Sequence, residues 1–321
     1  MPRISTLGVH ESVGDVFPST VFRDALADAV PSVSIVGRGE SKNADEAGGD
    51  DLSACDALVT FEYEDRFLDA GLDWIHSIQA GVDRFPFDDL QDRDIALTNS
   101  TGIHGDVVGE TAVGIMLAFA RRLHVYRSNQ ERGEWRQPAW DDAFPLRRES
   151  ACVVGLGTLG QGIATRAAAL GMDVTGVKRT PTPVDGVDTV YPPEDLHEPL
   201  ADARFVALAV PLTDDTEGMI STAEFETMRG DAYLINVARG PVVDQAALVG
   251  ALDSGAIAGA GLDVFETEPL PPESPLWDRE EVILTPHAAG LNEEYYERVA
   301  TIVRENVRRS SVGESLTNRV V

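Results

Sequence analysis

The stretch "VVGLGTLGQG", residues 153–162, places Gly155, Gly157 and Gly160 as G-x-G-x-x-G directly after the apolar run "ACVV". Leu159, Ile163, Ala167 and Leu170 follow at helical spacing, so the segment reads as strand, tight turn and helix. The first glycine permits the turn, the second lets backbone approach a pyrophosphate, and the third lets helix and strand pack closely. The helix N-terminus then favours the anion. A bare glycine pattern is also compatible with a simple turn, but in this setting it predicts a dinucleotide site.

A carboxylate near the end of the next strand would accept from the ribose hydroxyls of NAD. Here the strand "DVTGVKRTP" ends in Lys178, Arg179 and Thr180 instead. A cationic strand end suits an adenosine 2′-phosphate, so NADP is the expected cofactor, with NAD as second choice. Lys42 and Lys178 are the only lysines, which weakens the reading of Lys178 as ordinary surface charge.

Working outward, short apolar runs recur from Ser150 onward: "ACVVGLG", "DVTGVKR", "FVALAV", "YLINVA", "AGLDVF" and "VILTPH". Six strands with intervening helices predict a doubly wound parallel α/β sheet. Before residue 100, "TLGVH", "VSIVGR", "ALVTF", "WIHSIQA" and "IALTNS" predict a second, smaller parallel sheet. Residues 105–130, "GDVVGETAVGIMLAFARRLHVYRSNQ", carry an uninterrupted helical pattern of roughly 25 residues, with Asp106 and Glu110 near its start. Ser221 and Glu224 have capping-box spacing, and Gly171 and Gly255 stand where helices should stop. An amphipathic helix in the last residues could dock back on the first sheet. Residues 1–100 and 290–321 are therefore expected to form one discontinuous domain, and residues 101–289 the other.

The 321 residues exceed the size of most single cores, in keeping with two domains. They hold 54 acidic against 26 basic residues, a formal charge of −28 that argues against nucleic acid and anionic membranes as partners. So acidic a chain, with so little lysine, reads as adapted to high cytoplasmic salt, where a Debye length of about 3 Å mutes self-repulsion. A GC-rich genome accounts for the lysine deficit but not for the acid excess. No apolar run approaches a membrane span, and the start "MPRISTLGVH" lacks the basic-then-apolar pattern of a signal peptide. Cys55 and Cys152 are the only cysteines and form no metal-ligand pattern, so no metal and a reducing cytoplasm are expected.

Three strands of the second sheet end in ionisable residues. "INVARGPVVD" delivers Arg239, "GLDVFETEPLP" delivers Asp263 and Glu268, and "ILTPHAAG" delivers His287. Ligands of open parallel sheets bind outside the carboxyl ends of strands, so these groups could converge beside a nicotinamide. Each residue alone could be a solvated loop group.

With "GLGTLG", "VPLTDDT", "NVARGPVVD", "AGLDVFETEPL" and "TPHAAG" in this order, the chain resembles the D-isomer-specific 2-hydroxyacid dehydrogenase family over nearly its whole length. The resemblance implies a Rossmann cofactor domain inserted into a flavodoxin-like substrate domain, a homodimer built on the helix at 106–130, and reduction of a 2-keto acid to a D-2-hydroxy acid. It implies that Arg239 holds the substrate carboxylate and polarises the keto oxygen, that His287 donates the proton, and that Glu268 orients His287 and raises its pKa. It places Ala80 and Gly81, in "SIQAGVDRF", at the substrate carboxylate. Thr158 and Leu159 fall at the pyrophosphate, Pro211 near the adenosine, and Val237 with Arg239 along the cleft. Asp263, Ala289 and Gly290 fall toward the nicotinamide, and Thr111 is a further cofactor contact. The cations at 178–179 depart from the commoner family pattern. Formate or phosphite oxidation and a corepressor-like, cofactor-sensing role are the alternatives; the intact Arg239, Glu268 and His287 favour turnover. Tyr63, Tyr295 and Tyr296 are expected to pack rather than to line a pocket.

Overall fold

The computed structural model describes residues 4–38 and 52–321; Lys42 lies outside them. The chain divides into two units, Met1–Ile103 with Leu291–Val321, and His104–Gly290. In the first, β1 (Thr6–His10), β2 (Ser32–Val36), β3 (Ala57–Thr60), β4 (Trp74–Ser77) and β5 (Ala96–Thr98) pair in parallel in the order β2-β1-β3-β4-β5. That is the flavodoxin-like order. Helices α1 (Ser19–Leu26) and α2 (Phe87–Asp92) belong to the same unit.

The period-two alternation of a strand sorts this sheet's side chains onto two cores. Leu7, Val9, Ala57, Val59, Trp74 and Ala96 share one cluster, while Leu58, Ile75 and Leu97 share the other.

The second unit opens with α3 (Gly105–Ala120) and α4 (Leu123–Arg132). Its strands are β6 (Ser150–Val154), β7 (Asp173–Val177), β8 (Thr189–Tyr191), β9 (Phe205–Leu208), β10 (Tyr233–Asn236), β11 (Gly259–Leu262) and β12 (Val282–Leu284). They run parallel in the order β12-β11-β10-β9-β6-β7-β8, the doubly wound Rossmann arrangement with one strand added beyond β11. Helices α5 (Thr158–Ala169), α6 (His197–Asp202), α7 (Thr222–Thr227) and α8 (Gln245–Ser254) connect them. Ser221 and Glu224 form the expected capping box, and Gly255 closes α8 in the left-handed region. Burial pushes the Cys152 thiol up to about 12, so it acts as a core residue.

The sheet has seven strands rather than six: the three-residue edge strand β8 is too short for an apolar pattern to announce it. The single helix expected over 105–130 is also broken. Arg122 takes φ 57, separating α3 from α4. The cause is tertiary, because the Phe144 N–H takes the Ala120 carbonyl at 2.9 Å that the next helical turn would have used. The His124 ring bonds the Ala118 carbonyl at 3.2 Å as well.

The chain then returns to the first unit as α9 (Tyr295–Val312). Tyr295, Val299, Ala300, Val303 and Val307 lie on its buried stripe against Leu7, Phe22 and Trp74, and Gly313 ends it with φ 73. Beyond it, Arg319 bridges antiparallel to Thr98, while Val320 donates to the Leu97 carbonyl at 2.8 Å.

Two buried histidines tie this unit to pH. His76, between the hydroxyls of Thr98 (2.8 Å) and Ser100 (3.1 Å), is held neutral by burial, its pKa lowered to about 3. Burial also lowers His10 to about 4, with Glu64 opposing the shift and Arg66 and Arg38 adding to it. Unfolded histidine titrates near pH 6.5, so stability from these groups is full above that value and is lost as pH falls toward the folded values. Between pH 6.5 and 5, above the ordinary carboxylate range, each should cost up to about 1.4 kcal/mol per pH unit. Denaturant unfolding across that window should show the decline, and His76→Gln should flatten it. An unchanged slope in the variant would refute the assignment.

Candidate active site

The glycine turn after β6 is fixed by contacts at two of its three glycines. Gly155 has φ 94, and a Cβ there would lie 2.6 Å from the Ala209 carbonyl oxygen. A Cβ at Gly160 would overlap the Gly155 carbonyl oxygen, so helix and strand meet only because it is absent. Gly157 differs, since a Cβ there would meet nothing within 4 Å. Among the described residues its lack of a side chain serves no packing, which leaves room for a ligand. Gly157 also precedes α5 without a side-chain cap, so the helix's first N–H groups are left for an outside acceptor. Thr158 is exposed there and Leu159 half-buried.

Lys178, Arg179 and Thr180 follow β7, with Arg179 and Thr180 exposed. The Lys178 ammonium donates to the Thr182 hydroxyl at 3.2 Å. Among the described residues neither Lys178 nor Arg179 forms an ion pair, despite the chain's excess of acids. Pro211, exposed after β9, accepts from the Thr216 hydroxyl at 2.6 Å, and Val237 is buried after β10.

Arg239 is carried on a turn built by Asn236. That buried amide donates to the Arg239 carbonyl (3.0 Å) and accepts from the Ala238 N–H (3.0 Å). A Cβ on the next residue, Gly240, would overlap the Phe265 backbone, so the glycine brings the Arg239 turn against the segment leading to Glu268.

Glu268 and His287 form a pair at 2.8 Å, through the carboxylate Oε2 and ring Nδ1. The carboxylate Oε1 accepts from the Phe265 N–H at 3.0 Å. Burial opposes ionisation of Glu268, yet the bonds from His287 and Phe265 and the charges of His287 and Arg239 hold its pKa below the ordinary value. An ionised Glu268 accepts a hydrogen bond from Nδ1–H, which leaves Nε2 as the nitrogen that exchanges a proton with a ligand.

His287 stands at φ 52, a conformation uncommon for a side chain of this size. Asp263 imposes it from both sides. The Asp263 carbonyl accepts from the His287 N–H at 2.8 Å. Its carboxylate, 2% exposed, accepts from the Thr285 hydroxyl (2.6 Å), Ala288 N (2.8 Å) and Ala289 N (3.0 Å). The Ala289 carbonyl in turn accepts from the Thr111 hydroxyl at 3.2 Å, and Gly290 follows against His104. The second unit thus gathers Arg239, Glu268 and His287 through bonds of Asn236 and Asp263. Neither the Asn236 bonds nor the Asp263 grip was visible beforehand; the asparagine at the end of "YLIN" was the available signal.

Ala80 and Gly81 belong to the first unit, in the loop after β4. No described residue accepts from the N–H of Ala80, Gly81 or Val82. Among the described residues no helix is long and apolar enough to cross a membrane, and no group of three His, Cys, Asp or Glu could hold a metal.

The three glycines give a contrast that can be measured. Gly157→Ala should keep a parental melting temperature while weakening dinucleotide binding at least tenfold, whereas Gly160→Ala should lower the melting temperature itself. Calorimetry and fluorescence titration with NADPH separate the two effects. A Gly157→Ala protein that binds as the parent does would show that no ligand uses this gap.

Residues 113–289 match the family model of the D-isomer specific 2-hydroxyacid dehydrogenase NAD-binding domain. The chain is 35% identical over 283 residues to a glyoxylate reductase of Korarchaeum cryptofilum, covering 83% of this chain and 84% of that one. A solved D-isomer specific 2-hydroxyacid dehydrogenase from Xanthobacter autotrophicus, in complex with NADPH and MES, superposes with a TM-score of 0.83 at 32% identity, covering 99% of this chain and 98% of that one. The NADPH-dependent glyoxylate/hydroxypyruvate reductase of Sinorhizobium meliloti, solved with NADP and sulfate, gives 0.81 at 26% identity and covers 98% of each chain. The chain belongs to the D-isomer specific 2-hydroxyacid dehydrogenase family, as an oxidoreductase that uses a nicotinamide cofactor.

Proposed function

We propose that this enzyme reduces a small 2-keto acid to the D-2-hydroxy acid, with NADPH preferred over NADH. The observation that carries the reading is the His287–Glu268 pair beside Arg239 at the strand ends of a dinucleotide-binding sheet. NADPH supplies the hydride for the carbonyl carbon. His287 delivers the proton from Nε2 to the carbonyl oxygen, so the two additions together make the alcohol. Arg239 meets the substrate carboxylate and the developing charge on oxygen, while the free amides of Ala80 and Gly81 take the carboxylate. Glu268 holds the imidazole in the donating orientation. The activities named for the relatives put glyoxylate and hydroxypyruvate first among the acids to try.

The acidic, lysine-poor composition supports a high-salt cytoplasm, and Trp135 and Trp140, 95% and 94% exposed, support a homodimer in which a second copy covers the segment after α4.

NADPH oxidation with a panel of 2-keto acids tests the reaction. His287→Ala should cost roughly 10²–10⁴ in rate. Glu268→Gln, which can still meet the ring Nδ1–H through its amide oxygen but without a charge, should lower the reduction rate by less than His287→Ala does. A near-parental His287→Ala enzyme would remove the assigned proton donor.

The cofactor reading rests on Lys178 and Arg179, where a 2′-phosphate would lie, with the Thr180 hydroxyl beside them. A hydrogen bond to a charged group is worth about 1.5–3 kcal/mol, so a net gain of one such bond over hydration makes kcat/KM favour NADPH by roughly 10- to 100-fold. Lys178→Asp with Arg179→Ala should erase the preference. A parent that prefers NADH, or a double variant with an unchanged ratio, would overturn it.

A further inference from the structure

In the loop after β4 the amides of Ile78 and Gln79 are taken by the Thr60 carbonyl (3.0 Å) and Ser77 Oγ (3.3 Å), whereas no described residue accepts from the N–H of Ala80, Gly81 or Val82. Four successive carbonyl oxygens each receive a donor. Ser100 Oγ donates to Ser77 (3.2 Å), the Tyr295 hydroxyl to Ile78 (2.6 Å), Ser100 N to Gln79 (3.0 Å) and Asn99 Nδ2 to Ala80 (2.7 Å). In a planar trans peptide the C=O and the following N–H point in opposite directions. The bond at the Gln79 carbonyl therefore aims the Ala80 N–H, and the bond at the Ala80 carbonyl aims the Gly81 N–H, away from the donors. The second of these depends on one side chain, Asn99.

Asn99 is braced in turn. Its Oδ1 accepts from Thr101 N (3.1 Å), and its N–H donates to the Asn318 carbonyl (3.2 Å). The Asn318 amide donates to the carbonyls of Asn99 (3.1 Å) and Thr101 (2.7 Å). Asn318 has φ 56, a region asparagine visits more readily than most residues.

We infer that Asn99 is a positioning residue that aims the Gly81 amide at the substrate carboxylate, and that Asn318 keeps Asn99 in place. This rests on the reading of Ala80 and Gly81 as the carboxylate-binding turn. Without the Asn99 donor the Ala80–Gly81 peptide can rotate, and the receptor must be ordered each time the acid binds.

The experiment compares a 2-keto acid with its neutral 2-keto amide in the parent, Asn99→Ala, Asn99→Asp and Asn318→Ala. In Asn99→Ala, KM for the acid should rise roughly tenfold, equivalent to about 1.4 kcal/mol, with kcat far less changed. The preference for acid over amide should fall by a similar factor. Melting temperature and the NADPH dissociation constant should stay near parental, which general damage to the fold would not allow. Asn99→Asp should lose more, because it turns an acceptor toward the Ala80 carbonyl. Asn318→Ala should shift KM in the same direction by less, and it carries the test if Asn99→Ala does not fold. Parental KM and parental acid preference in both Asn99→Ala and Asn318→Ala would overturn the inference. A parent that takes acid and amide equally would instead overturn the reading of the turn itself.

Discussion

Burying a carboxylate costs several kcal/mol unless donors meet its charge, and at Asp263 three donors from residues 285–289 do so. Because the Asp263 carbonyl also takes the His287 N–H, one residue grips the chain at and on both sides of the histidine. The left-handed backbone of His287 costs roughly 1–3 kcal/mol by itself and persists only where surrounding bonds over-determine it. From that fixed point the rest follows along a single strand end. Two residues after Asp263, the Phe265 N–H fixes Glu268; Glu268 fixes Nδ1 of the ring, and Nε2 is left for chemistry. The orientation of the His287 ring is thus built from bonds within one unit, before any ligand arrives.

Parts of this were legible because they depend on nearest neighbours. Gly155, Gly157 and Gly160 announce the turn because a Cβ at the first and third would meet backbone within a few residues or across one strand pair. Arg239, Glu268 and His287 were legible as residues at strand ends, since parallel strands bring their carboxyl ends to one edge. The Ser221–Glu224 cap needs only three residues of spacing.

What the sequence hid depends on distant partners. Nothing between Ala120 and Leu123 signals a helix break, because the group that takes the Ala120 carbonyl belongs to Phe144. Asp263 was placed by its strand end, but its bonds come from a loop more than twenty residues on. Asn99 lies near the end of "IALTNS", which reads only as a strand; its reach to Ala80 requires β4 and β5 to be adjacent. Tyr295, expected to pack, does so with its ring while its hydroxyl holds the Ile78 carbonyl. These residues act as supports, and a support is identified by the partner it holds.

A chain of formal charge −28 that takes an anionic substrate and an anionic cofactor faces a repulsion that its 26 basic residues are too few to offset. Backbone amides resolve this differently from surface cations. The N–H groups at the start of α5 and those of Ala80 and Gly81 carry no net charge, so they add nothing to the long-range field and act only at hydrogen-bond range. Salt that screens the carboxylates over about 3–10 Å leaves contacts of this range largely intact. Under the proposed reading, full positive charge meets the ligands at two places only, Arg239 at the reacting end and Lys178 with Arg179 at the 2′-phosphate. For such a surface, directional donors held in place by Asp263, Asn99 and the glycine turn are a more durable means of binding anions than attraction at a distance.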